Sequence, residues 1–208
     1  MNYIDFREKM KNFPLFETKE LRLIFKDNFN KSFLNNLKNW EEKEYLINLR
    51  KGLYLLGEFK GEIDPLVLAL KIYSPSYVSL EMALSSYGII PESVFTVTSV
   101  SSRKTKFFEN KFFGKYCYQK IKKEAFGGFE TRKFQNISFN FALPEKALVD
   151  FLYLNRNILD GSRENFESYR FSKEFNYNKK KLRDFSELFE NKKTIFLTDN
   201  FIRYYASN

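Results

Sequence analysis

NKSFLNNLKNWEEKEYLINLRKGLYLL, residues 30–56, decides the fold of the first part of this chain. Its first half predicts an amphipathic helix from about residue 32 to 42, because apolar side chains recur there at helical spacing. Its second half predicts two short β-strands, since β-prone runs flank Gly52, which accepts the positive φ of a tight turn. The stretch is therefore expected to form a helix followed by a basic hairpin.

The predicted helix has two chemically different sides on a wheel of about 100° per residue. One side is apolar and carries Phe33, Leu34, Leu37 and Trp40. The opposite side is polar and carries Lys31, Ser32, Asn35, Lys38 and Asn39, with Asn36 at its flank. The apolar side is expected to pack on neighbouring helices, which leaves the polar side exposed.

The polar side suits contact with DNA. Residues 28–39 hold five asparagines in twelve positions, whereas the 208-residue chain holds 19, so a general bias towards asparagine does not explain the local density. Asparagine can make a bidentate contact to adenine in the major groove, and lysine and serine can reach phosphates or base edges. The alternative is a solvated face on a structural winged helix that makes protein contacts.

Two further helices are predicted before this stretch. The first has Tyr3, Phe6, Met10 and Phe13 at helical spacing and ends before Pro14; the second is capped by Thr18 and places Leu21, Ile24 and Phe25 on one face. Three helices and a basic hairpin are the order of a winged helix-turn-helix, predicted here for residues 1–56. Its wing would bring Arg50 and Lys51 to the DNA backbone or minor groove.

Residues 57–208 predict a second, larger domain of α+β class. Helices are expected to start at Asp64-Pro65, Ser79 and Pro144. Strands are expected at 93–102, 105–121 and 128–142, the last broken at Gln135-Asn136. The chain beyond residue 160 is expected to be mostly helical, with 194–205 open to either interpretation.

Composition narrows the classes of function. The chain has a formal net charge of +9, spread evenly along its length, which suits a polyanionic partner without locating its site. It contains no histidine and one cysteine, Cys117. The commonest general base is thus missing, and no disulfide or cysteine-cluster zinc site can form within the chain. We expect no catalysis, no cofactor, no metal, no membrane segment and a cytoplasmic location.

Three segments carry a family resemblance: PSYVSLEMALSSYGIIPE (75–92), VTSVSSRKT (97–105) and LPEKALVDFLYL (143–154). They occur in this order after LRKGLYLL (49–56). Together they resemble the AbiEi family of antitoxins, from bacterial type IV toxin–antitoxin systems linked to abortive phage infection. The resemblance covers roughly residues 15–155.

The resemblance implies a two-domain antitoxin. Its N-terminal winged helix would bind repeats in its own promoter and act as a transcriptional repressor. Its C-terminal domain would counteract a cognate AbiEii-like nucleotidyltransferase toxin, without an obligatory stable complex. Four residues inside the matched segments are expected at exposed helix and hairpin ends, as candidates for an antitoxin surface: Tyr77, Glu81, Arg103 and Lys104.

Other interpretations remain open at this point. A winged-helix regulator without a toxin partner would have the same first domain. A winged-helix-steered nuclease would gather carboxylates around a metal, with Asp64, Glu81, Glu92 and Asp150 as candidates, although their spacing matches no metal motif. Residues 103–123 carry eight basic and six aromatic side chains, which suits either nucleic-acid binding or a half-buried hairpin.

Overall fold

The computed structural model describes residues 1–135 and 137–206. The chain is mixed α+β and divides into two compact units, Met1–Asp64 and Pro65–Asn208, called here the N-terminal and C-terminal units. The expected break at Gln135-Asn136 lies partly outside the described residues, because they do not include Asn136. Within them, none of the helices has the length and apolar character of a membrane span.

The N-terminal unit combines three helices with a three-stranded antiparallel sheet of order β1-β3-β2. Its elements are α1 (Tyr3–Met10), β1 (Leu15–Glu17), α2 (Thr18–Phe25), a 3-10 helix (Lys26–Asn28), α3 (Lys31–Glu42), β2 (Leu46–Arg50), β3 (Leu53–Leu56) and a second 3-10 helix (Gly57–Phe59). Strand β1 was not expected. Its three residues are too few to show a β-strand pattern, and the strand exists because it pairs with β3.

Aromatic rings fill the core of the N-terminal unit. The ring of Phe6 lies 4.8 Å from that of Trp40 and 5.5 Å from that of Phe25, and the rings of Phe25 and Phe33 are 5.0 Å apart. Burying each such side chain contributes about 1.5–3 kcal/mol. This cluster joins the apolar side of α3 to α1 and α2, as the wheel predicts.

Three local expectations in the N-terminal unit are wrong. The cap of α2 is Glu17, which forms a capping box with Glu20, while the hydroxyl of Thr18 donates to the carbonyl of Gly52 at 3.4 Å. Phe13 lies beyond the end of α1 and is exposed. Ile24 is also exposed, because the short helix α2 turns only Leu21 and Phe25 into the core.

The C-terminal unit has a six-stranded mixed sheet of order β6-β7-β5-β4-β9-β8. Its elements are α4 (Pro65–Ile72), β4 (Ser76–Val78), α5 (Leu80–Ser86), β5 (Thr96–Ser101), β6 (Lys106–Asn110), β7 (Gly114–Lys120), β8 (Phe129–Phe134), β9 (Ile137–Ala142), α6 (Pro144–Leu154), α7 (Arg163–Ser168), α8 (Lys179–Glu187) and α9 (Lys192–Tyr205). The β-structure expected at 105–121 and at 128–142 forms the antiparallel pairs β6–β7 and β8–β9. The ambiguous stretch 194–205 is helical.

Helix α4 covers one face of the sheet at β7. The hydroxyls of Tyr116 and Tyr118 donate to the carbonyls of Pro65 and Ala69, at 3.1 and 2.7 Å. Because successive side chains of a strand point to opposite faces, Cys117 faces away from α4. This alternation defines a second, more open face of β6 and β7.

Candidate nucleic-acid interface

Helix α3 begins at a well-formed cap and ends after three turns. The Oδ1 of Asn30 accepts a hydrogen bond from the backbone N–H of Phe33 at 3.0 Å, which satisfies one of the free donors at the helix start. Phe33, Leu37 and Trp40 are buried and fix the rotation of the helix about its axis. Leu34, expected on the buried side, is 39% exposed at the edge of the contact.

The fixed rotation leaves the predicted polar side in solvent. All five residues of this face are exposed, and among the described contacts none of their side chains has a hydrogen bond or ion pair: Lys31, Ser32, Asn35, Lys38 and Asn39. Asn36 behaves differently, since it is half-buried and its Nδ2 donates to the carbonyl of Met1 at 3.2 Å. Asn30 and Asn36 therefore have structural partners, while the α3 polar face is available to a ligand.

The turn between β2 and β3 presents its two cations unequally. Lys51 is exposed at the tip, beside Gly52, whose φ of +80° allows the tight turn. The Nη2 of Arg50 instead binds the Oε1 of Glu17 at 2.9 Å, with the two side chains 29% and 28% exposed. Arg50 is therefore already partly neutralised, and Lys51 is the stronger candidate for a phosphate contact.

Glu17 also forms an ion pair with Lys19, which the sequence pattern did not indicate. The Nζ of Lys19 lies 2.7 Å from its Oε2. This hydrogen bond, together with the charge of Arg50, lowers the pKa of Glu17. Strand β1 brings Glu17 and Lys19 beside the hairpin, so these residues could be found only after β1 was recognised.

In the C-terminal unit, Tyr77 is not exposed as expected. It lies on β4 in the middle of the sheet, is 1% exposed, and its hydroxyl donates to Oδ2 of Asp150 at 2.8 Å. The Ser79 hydroxyl donates to the same oxygen at 2.9 Å, so Ser79 does not cap α5 through its side chain. Lys146 forms an ion pair with the other oxygen of Asp150.

This Asp150 cluster is completely enclosed. The side chains of Lys146 and Asp150 are both fully buried, and burial raises the pKa of the carboxyl and lowers that of the amine. The ammonium also lies 4.8 Å from the ring of Phe189. The donors around Asp150 occupy both of its oxygens, which gives this residue a structural role.

The carboxylates considered for a nuclease are not gathered into one site by their contacts. Asp150 is enclosed as described, Glu92 pairs with Arg170, and Asp64 belongs to the N-terminal unit. Within residues 1–135 and 137–206, His, Cys, Asp and Glu side chains form no group of three or more that could hold a metal ion. Glu81 is half-buried; it lines one depression together with Glu92 and also lines a second cleft, considered below.

Arg103 and Lys104 lie in the exposed loop between β5 and β6. The guanidinium of Arg103 lies 5.0 Å from the ring of Tyr73 and donates to the carbonyl of Ser74 at 2.9 Å. The end of β7 adjoins this loop, since the backbone N–H of Lys120 donates to the hydroxyl of Thr105. Cations from both segments therefore meet at one end of the sheet.

This basic end includes an open depression of about 450 Å³ lined by Ser102, Lys120, Ile121, Lys122, Lys123 and Tyr153. Lys122 is partly compensated by Glu190, 3.2 Å away. Half of the six aromatic residues of 103–123 are buried, namely Phe113, Tyr116 and Tyr118, and Phe108 and Phe112 are partly buried, as a half-buried hairpin predicts. Phe107 is the clear departure, since 58% of it is exposed.

No protein-family model matches this chain, and no curated protein sequence matches it. Any function must therefore be argued from the chain's own residues and from the motif resemblance.

Proposed function

We propose that this protein is a DNA-binding antitoxin of the type IV class, and that its N-terminal unit is a winged helix-turn-helix that represses its own promoter. The order α1-β1-α2-α3-β2-β3, with a three-stranded sheet β1-β3-β2, supports this reading. Helix α3 follows α2 as a recognition helix follows its partner, and the β2–β3 hairpin stands where a wing belongs.

The α3 polar face is the observation that carries the DNA proposal. The five polar residues on this helix face have no side-chain partners among the described contacts. Asparagine is a mediocre helix former, so helix stability does not explain its presence there. A solvated face without a ligand would gain more from glutamate, glutamine or lysine. Asn35 and Asn39 would read bases, Lys31, Ser32 and Lys38 would hold phosphates or base edges, and Lys51 would reach the backbone.

Promoter binding by alanine variants tests this proposal. Replacing Asn35 or Asn39 by Ala is expected to weaken binding to the promoter duplex by about 1–3 kcal/mol per lost bidentate contact. Fluorescence anisotropy over a salt series would measure it, with a scrambled duplex beside the promoter. Asn12→Ala, the same change at an exposed position outside the helix, should bind like the wild type.

Promoter binding that is independent of salt and unchanged in an Asn35→Ala, Asn39→Ala double variant would remove the α3 polar face as the reading surface. An equal loss of binding to the promoter and to the scrambled duplex would show that these residues contact the DNA backbone and do not read bases.

The antitoxin part of the proposal rests on the AbiEi-like segments in the C-terminal unit. The partner would be an AbiEii-like nucleotidyltransferase encoded next to this gene, and Glu81, Arg103 and Lys104 are the exposed or half-buried candidates for that role. Tyr77 is not a candidate for this surface, because it is buried. Such a protein would act in the cytoplasm without catalysis of its own.

Co-expression with the neighbouring gene separates the two roles. The full-length double variant at Asn35 and Asn39 should still rescue growth from the toxin while losing promoter binding. Failure of the wild type to rescue growth would instead favour a regulator without a toxin partner.

A further inference from the structure

A cleft of about 420 Å³ lies on the face of the sheet opposite α4. Cys117 and Gln119 of β7 line it, together with Phe107, which is the direct cross-strand partner of Cys117. Thr98 of β5 and Glu81 of α5 form the other side. The cleft is distinct from the α3 polar face and from the basic end of the sheet.

Glu81 is the acidic group of this cleft. Glu81 is half-buried as a residue, and no described contact gives its side chain a hydrogen bond or an ion pair. Lys115 is a cation on the same sheet face, but it lies directly across from Glu109 and does not line the cleft. A carboxylate without a cationic partner in the protein can pair with a positively charged ligand.

The position of Glu81 is held rigidly by its neighbours. The preceding residue, Leu80, has a φ of +58°, a conformation that costs a bulky residue free energy. The hydroxyl of Thr98 accepts from the N–H of Met82 at 3.0 Å and donates to the carbonyl of Ser79 at 2.8 Å, which ties the start of α5 to the sheet. These contacts anchor the backbone at Glu81 beside the cleft.

An aromatic ring completes the site. Phe107 is 58% exposed at the cleft, and Gln119 and Asn155 add amide oxygens that can accept hydrogen bonds. A guanidinium group matches this set, because it pairs with a carboxylate through a planar fork of donors and stacks on aromatic faces. An ammonium group would pair with the negative charge of the carboxylate but could not donate the two parallel hydrogen bonds of a planar guanidinium.

We propose that this cleft binds an arginine side chain presented by a protein partner, with Glu81 as the counter-ion and Phe107 as the stacking face. A protein source fits the surroundings, because Phe107, which lines the cleft, is 58% exposed. Exposed aromatic residues beside a charged pocket are typical of protein interfaces. The proposal uses the C-terminal unit alone and stands whether or not the chain binds DNA.

Cys117, the single cysteine of the chain, supplies the test, since its thiol lines the cleft. The rate of its alkylation by iodoacetamide would be measured in the full chain with acetyl-Gly-Arg-Gly-amide as probe. At a peptide concentration about ten times its Kd, occupancy should slow alkylation about tenfold. The same peptide with citrulline in place of arginine keeps the shape without the charge and should not protect the thiol.

Matched variants decide the role of the carboxylate. Glu81→Gln should abolish protection by the arginine peptide, and Phe107→Ala should weaken it. Glu109→Gln, on an exposed residue of the same sheet face, should retain it. Far-UV circular dichroism and urea unfolding would establish that each variant is folded.

Three results would overturn the proposal: no protection of the wild type, protection that survives Glu81→Gln, or equal protection by the citrulline peptide. Agmatine protecting at a tenth or less of the peptide concentration would assign the cleft to a free cationic metabolite and overturn the protein source. Promoter binding is not among these readouts, so the outcome is separable from the fate of the DNA proposal.

Discussion

The α3 polar face and the Asp150 cluster place charged and polar side chains in opposite environments. Lys38 on α3 is exposed and has no described side-chain partner, whereas Lys146 on α6 is fully buried and bound to Asp150. Helix α3 has one apolar side, so its polar residues can remain in water. Helix α6 is buried on every side from Glu145 to Leu152, so its charges must be paired inside the protein.

This contrast shows that a residue inside a matched segment can have a purely structural role. Lys146 and Asp150 belong to LPEKALVDFLYL, one of the segments that carry the family resemblance, yet they hold the fold together. The α3 polar face lies outside the three segments of the C-terminal unit and nevertheless has five side chains without hydrogen-bond partners among the described contacts. Solvent exposure and side-chain contacts therefore distinguish structural residues from candidate functional ones, and membership of a matched segment does not.

Breaking the buried pair should give the largest effect. Asp150→Ala leaves the ammonium of Lys146 and the hydroxyls of Tyr77 and Ser79 without their acceptor, and should lower the free energy of unfolding by about 3–5 kcal/mol. Urea unfolding would measure it. Adding Lys146→Met to Asp150→Ala should recover part of the loss, because the uncompensated buried charge disappears.

Glu109→Ala is the control for this prediction, since Glu109 is exposed and should change stability by less than about 0.5 kcal/mol. If Asp150→Ala were as mild as the control, the buried pair would contribute nothing to the fold, and the contrast with α3 would fail.

The two sides of α3 provide the next comparison. Leu37→Ala removes a buried side chain and should destabilise the N-terminal unit by about 2–5 kcal/mol. Lys38→Ala, one residue away, should leave stability within about 0.5 kcal/mol and reduce the salt dependence of DNA binding by about one phosphate contact. Urea unfolding and anisotropy on the same samples would measure both effects.

Much of the N-terminal unit was predictable because its signals are local. The α3 wheel correctly places Phe33, Leu37 and Trp40 inside and the five polar residues outside. Strand β1 was missed because three residues show no period, and with it the contact of Arg50 to Glu17, which are 33 positions apart in the chain. Pairings of that range depend on tertiary structure, which a single sequence does not reveal.

The C-terminal unit was predictable in its elements but less so in its environments. Its β-hairpins and most of its helices follow from β-branched content, prolines and caps. Strand β4 was not expected, so Tyr77 was assigned to the surface instead of the centre of the sheet. The spacing of Lys146 and Asp150, four apart in an otherwise apolar helix, is the one local signal that could have indicated a buried pair.

The smallest expected effect concerns Glu17, whose ion pair with Arg50 would withhold that cation from DNA in the proposed complex. Glu17→Gln removes the negative charge beside Arg50 and should strengthen DNA binding by about 0.2–1 kcal/mol, the usual range of a surface ion pair. Lys51→Ala should weaken binding more than Arg50→Ala does in the wild type, and the two should become similar in the Glu17→Gln background. Anisotropy titrations at one salt concentration would measure all six proteins.

The same residue predicts a pH dependence of stability. The pKa of Glu17 is lowered by its hydrogen bond with Lys19 and by the charge of Arg50. A lowered carboxyl pKa means that the pairing stabilises the folded state above the ordinary glutamate pKa, and that this stabilisation is lost as the pH falls through the lowered value. Urea unfolding over an acidic pH series should therefore show the wild type and Glu17→Gln differing near neutral pH and converging in acid. A difference that stayed constant down to the lowest pH would show that the Glu17 carboxylate does not hold Arg50, and the proposed preference for Lys51 over Arg50 as a DNA contact would fail.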